Sequence, residues 1–71
     1  MKRIAHEEIQ YKGFTMLVGR MDDDWIVEVS REDSSMPHGY EDFGMLSGYS
    51  SKEEAIEEGK GFIDTLKAEG R

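Results

Sequence analysis

Few residues in this chain have the type and spacing that chemistry requires. His6 and His38 are the only histidines, they lie in separate polar segments, and there is no cysteine, so the donor set of a zinc site is missing. Asp22-Asp23-Asp24 groups three carboxylates. A calcium loop instead alternates its ligands and ends on a distal Glu, so weak adventitious calcium binding is the most the triplet implies. Ser34, Ser35, Ser47, Ser50 and Ser51 stand in turn or cap contexts, outside any G-x-S-x-G nucleophile motif. Gly59-Lys60-Gly61 has the letters of a phosphate loop but falls inside a helical period, among acidic neighbours. Carboxylates are so abundant that no pair stands out as an acid/base couple, and a short chain has little material with which to wall a water-excluding cleft. The expectation is a non-enzyme with no catalytic residue, no metal ligand and no cofactor.

Charge and size narrow the partners. The 71 residues make one domain, with residues 1–8 frayed or forming a short leading strand, and sixteen acidic against nine basic residues give a formal net charge of −7. That balance opposes direct nucleic-acid binding, which needs a Lys/Arg surface to neutralise phosphate, and equally opposes an anionic membrane. Its natural complement is a basic protein surface, although acidity also serves solubility alone. No apolar run approaches the ~18 residues of a membrane span, and the start lacks the apolar core of a secretion signal. With the absence of cysteine, this fits a reducing, cytoplasmic setting.

The elements that position these residues are organised around one helix, in SSKEEAIEEGKGFIDTLKAEGR. Ser51 with Glu54, or Ser50 with Glu53 one position earlier, forms a capping box. Glu53 and Glu54 suit the first turn, Lys67 the last, and Gly70 the left-handed terminator. Ala55, Gly59, Phe62, Ile63 and Leu66 form an apolar stripe at about 100° per residue, with Ile56 on its flank. Gly59 lies on that stripe, where a missing side chain lets the helix approach a sheet closely. Gly61 has no comparable reason.

Before the helix the period changes to two. Ile9 to Val18 reads as one strand with Gly13 as a bulge, the three aspartates as a hairpin turn, and Trp25, Val27 and Val29 as the buried side of a second strand. Residues 31–39 form a polar loop around Pro37 and Gly39, and Tyr40 to Ser47 is a third, weaker strand. The fold expected is α+β: a three-stranded antiparallel β-meander with one C-terminal helix on one face (βββα). Its core is Phe14, Met16, Val18, Trp25, Val27, Val29, Phe43 and Met45 against Ala55, Phe62, Ile63 and Leu66.

Two surfaces follow. One helix covers one sheet face, so Leu17, Met21 and Ile26, with Thr15, are expected on an uncovered and partly apolar face, open to a partner or a homodimer. The aspartate turn and the helix start fall at the same end of a meander, which gathers Asp22, Asp23, Asp24, Glu53 and Glu54 into an acidic pole.

Two stretches resemble known families. GYSSKEEAIEEGKGFIDTL resembles the last strand-to-helix passage of HicB-type antitoxins, with their G-x-[ST]-x-E-E-A start. YKGF, the DDDW junction and EEAIEEGKGFID resemble small bacterial proteins of βββα type, a likeness that implies a fold and no activity. The order of elements is also similar to double-stranded RNA-binding folds, but those open the last helix with lysines where this chain has Glu53, Glu54, Glu57 and Glu58. The function expected is a non-catalytic acidic interaction module. Its sharpest form is a phage or mobile-element inhibitor that occupies the basic nucleic-acid-binding surface of a nuclease or defence complex. A HicB-like antitoxin or a bacterial domain of unknown function is the alternative, and a small hydrolase the competing class.

Overall fold

The computed structural model describes the backbone from residue 3 and the side chains from residue 7, through Arg71. Four strands precede one helix: β1 (Arg3–Tyr11), β2 (Phe14–Met21), β3 (Asp24–Glu32), β4 (Tyr40–Tyr49) and α1 (Lys52–Ala68). The strands pair antiparallel in chain order, so the α+β meander stands with four strands rather than three.

The extra strand comes from a turn that sequence alone reads as a bulge. Tyr11 pairs with Phe14 across Lys12 and Gly13, whose φ values of 51° and 85° are both left-handed. Two such residues in a row match the twist of a tight hairpin, so one long run becomes β1 and β2. Residues 3–8, expected to fray or lead, belong to β1, while Met1 and Lys2 lie outside the described residues. The next turn is also tighter than expected. Met21 pairs with Asp24, so only Asp22 and Asp23 turn. Asp22 takes φ 58°, which the short polar side chain of aspartate tolerates.

Alternation along each strand sends one set of residues under the helix. Phe14, Met16, Val18, Val27 and Val29 are buried there against Ala55, Ile63 and Leu66, flanked by Ile9, Tyr11, Trp25, Phe43, Leu46, Tyr49, Ile56 and Phe62. Met45, expected in this core, is instead 44% exposed on the opposite face. A register shift between Val29 and Ser30 accommodates an extra residue in β4. There Gly44 adopts φ 105° and donates its N–H to Asp42 Oδ1 at 2.8 Å. The alternation slips by one, so Phe43 and Leu46 turn inward and Met45 outward.

The helix is capped at both ends as its sequence implies. Ser51 Oγ accepts the Glu54 N–H at 3.1 Å, as a capping box on Ser51 requires, while Glu54 Oε1 makes the return bond one residue further back, accepting the Ser50 N–H at 2.7 Å. At the other end the Arg71 N–H reaches Leu66 O and the Gly70 N–H reaches Lys67 O, both at 3.0 Å. With Gly70 at φ 87°, this is the Schellman pattern.

The two helical glycines differ in surroundings. A Cβ on Gly59 would stand 2.8 Å from Met16 Sδ and 3.1 Å from Val27 Cγ2, whereas one on Gly61 would meet nothing within 4 Å. Gly59 therefore sets how closely α1 sits on β2 and β3. Gly59→Ala should destabilise by about 1–3 kcal/mol through overpacking. Gly61→Ala should stabilise by up to about 1 kcal/mol through helix propensity. Urea unfolding of the two variants checks this contrast, and equal effects would contradict it.

Candidate interaction surface

The face turned away from α1 is defined by strand register. Leu17 pairs with Glu28, Ser30 with Asp42, Glu28 with Met45 and Glu32 with Tyr40. Strand parity places Thr15, Leu17, Gly19 and Met21 of β2 there, with Asp24, Ile26, Glu28, Ser30 and Glu32 of β3. Tyr40, Asp42 and Met45 of β4 complete it, and among the described residues no second helix covers it. Tyr40 and Met45, 49% and 44% exposed, lie on this face, and Met36 of the adjoining loop is also exposed.

The two faces differ in charge. Among strand residues with described side chains, Glu8, Asp24, Glu28, Glu32 and Asp42 occupy the helix-free face by register, and Glu7, Arg20, Arg31 and Glu41 the helix face. Both arginines are held by rings. Arg20 lies over Trp25 at 5.7 Å, and Arg31 lies over Phe14 and Phe43 at 5.2 and 5.5 Å while its Nη2 bonds Glu41 Oε1 at 2.9 Å.

The expected partner residues are only partly brought together. Asp22, Asp23 and Asp24 are all exposed. Trp25 pairs with Tyr49 just before α1, so the turn and the helix start share one end of the sheet. Within that pole Glu53 is exposed, but Glu54 is engaged with Ser50 in the cap, and Lys52 Nζ pairs with Glu7 at 2.7 Å. Leu17 and Met21 are half-buried on the helix-free face. Ile26 shares that face but is 1% exposed. It is a buried support rather than a contact residue, paired with Gly19, which is also buried.

Glu28, Tyr40, Asp42 and Met45 were not singled out from the sequence. Glu28 was legible, since it alternates with Val27 and Val29. Tyr40 and Asp42 were legible too, as the residues alternating with the inward Phe43, and only Met45 was hidden, by the Gly44 bulge that moves it to the opposite face. With Leu17 and Ser30, three of these four line a depression of about 220 Å³: Glu28, Tyr40 and Asp42.

Among the described residues no group of three His, Asp or Glu side chains could hold a metal ion, and no helix is long and apolar enough to cross a membrane. A four-stranded antiparallel meander roofed on one side by one C-terminal helix defines a small α+β domain with an acidic, partly apolar open face. No family model, curated protein or solved structure matches the chain.

Among the described residues, ionisation is shifted at Lys12, Asp33, Tyr49, Lys52 and Asp64. A hydrogen bond and charge from Asp64 raise Lys12, and Glu7 raises Lys52 in the same way. Asp64 is lowered mainly by its hydrogen bond from Lys12, at 2.7 Å, and also by one from the Tyr11 hydroxyl at 3.0 Å. Asp33 is lowered by the Ser35 hydroxyl and N–H. Tyr49 is raised by partial burial and then by Glu58 and Glu54.

Each of these shifts links stability to pH. The lowered carboxyls contribute stability that is present above 3.8 and lost as pH falls through their folded values. The raised lysines contribute below 10.5, and Tyr49 below 10.0, and each contribution is lost as pH rises through the folded value. Urea midpoints should therefore form a plateau across neutral pH that falls away at both ends. The Asp64 carboxyl, followed by carbon NMR, should titrate below 3.8, and a midpoint above that value would contradict the pairing.

Proposed function

We propose that the protein is a non-catalytic interaction module that binds a basic protein surface through the helix-free face of its sheet, with the Asp22–Asp24 turn at one end. The observation that carries this reading is the distribution of charge: among strand residues with described side chains the open face carries carboxylates and exposed apolar side chains, while Arg20 and Arg31 sit on the other face, where Glu7 and Glu41 balance them. A rim of carboxylates steers a cationic partner and selects its orientation, and Leu17, Tyr40 and Met45 supply apolar area for close contact. In its sharpest form the partner is a nuclease or defence complex whose nucleic-acid groove is occupied by these carboxylates in place of phosphates.

The reading is tested with a labelled oligoarginine peptide followed by fluorescence anisotropy. Affinity should fall steeply between low and physiological ionic strength, as screening requires. It should fall further in a variant with Asp22, Asp23 and Asp24 replaced by Asn than in one with Glu57, Glu58 and Glu69 replaced by Gln. Equal weakening by the two triple variants would reduce the binding to bulk charge and end the proposal.

A further inference from the structure

Building on the proposed basic partner, we infer that the depression formed by Leu17, Glu28, Ser30, Tyr40 and Asp42 receives one arginine side chain of that partner. Its volume, about 220 Å³, falls below the ~300–1,000 Å³ usual for small-molecule sites, and suits a single long side chain. Its lining has the parts such a side chain uses. Glu28 and Asp42 are carboxylates on neighbouring strands, Tyr40 is an aromatic ring 49% exposed, and Leu17 is an apolar wall beside Glu28. The Gly44 N–H holds Asp42 Oδ1 at 2.8 Å, which fixes the carboxyl before any partner arrives.

The protein already holds an arginine in this way on its other face. There Arg31 lies over the Phe14 and Phe43 rings, which pack on each other, and bonds the Glu41 carboxylate. Glu41 and Phe43 belong to the same strand as Tyr40 and Asp42, in alternation with them. The helix-free side thus repeats an aromatic–carboxylate cradle, here open to solvent and provided by the neighbouring positions of β4. A guanidinium fits it better than an ammonium, because a planar fork can both stack on Tyr40 and bond a carboxylate in two places. The aliphatic stem would lie along Leu17.

The test is a nitrogen–proton NMR titration of the intact chain with N-acetyl-arginine amide, and with N-acetyl-citrulline amide as the uncharged isostere. Arginine should cause saturable shifts centred on Leu17, Glu28, Ser30, Tyr40 and Asp42, and citrulline should not. Tyr40→Ala should weaken the apparent affinity about threefold. Asp42→Asn, which keeps an acceptor for the Gly44 N–H and so preserves the bulge, should weaken it further. Retained amide dispersion shows that each variant is folded. Arginine shifts confined to Asp22–Asp24 and Glu53 would overturn the cradle while leaving a basic partner standing, as would an equal response to citrulline. Concentration-dependent shifts of the same residues without ligand would also overturn it, assigning the depression to a second copy of this chain. Loss of the wider reading would show separately, as equal weakening of oligoarginine binding by the two triple variants.

Discussion

The fold depends on one close contact, that of the α1 backbone at Gly59 with Met16 and Val27. There is one helix to seal the sheet and no disulfide to help, so the apolar stripe must reach both central strands at once. A side chain at position 59 would lift the helix where Ala55, Ile63 and Leu66 enter the core. The glycine costs helix propensity, and the layer contact it permits offsets that cost. The caps on Ser51 and Gly70 then fix where the helix starts and stops without adding to its docking.

From this one-sided sealing follows the division of the molecule. The strands must bury every second residue beneath α1, and among the described residues no second helix covers the alternate ones, although Gly19 and Ile26 are buried there. The domain is thin in that direction, with principal extents of 35 × 25 × 15 Å. Its cations are largely engaged in structural contacts. Arg31 joins β3 to β4 through Glu41, Lys12 ties the first hairpin to Asp64 of the helix, and Lys52 ties the helix start to Glu7 of β1. Such exposed pairs are individually weak because water screens them. Their placement nonetheless draws positive charge to the helix side and leaves the open face acidic.

The sequence was legible wherever one period held without interruption. The stripe from Ala55 to Leu66, the capping box on Ser51 and the alternation of Trp25, Val27 and Val29 all appear as read, because nothing breaks the phase within them. It failed where the backbone changes phase. Gly13 read as a bulge because Ile9, Tyr11, Phe14 and Met16 look like one run, and only paired left-handed conformations at Lys12 and Gly13 distinguish a turn from a kink. Gly44 had the opposite effect, as a true bulge that exchanged Met45 for Leu46 in the core. The aspartate turn and helix start were placed correctly at one end of the sheet. Asp42 lies ahead of the Gly44 shift and faces away from Phe43 as plain alternation implies, whereas Ile26 gave no sign that its position would be closed to solvent.

The irregular pairing of β4 has a consequence for assembly. An outermost strand offers a row of amide groups that a second chain could extend, and straight rows of this kind lead to fibrils. Here that border is interrupted by left-handed glycines at positions 44 and 48. The opposite border, β1, has its own register break between Ala5 and Glu7. Neither margin is an even template for strand addition, so both borders disfavour polymerisation through the backbone.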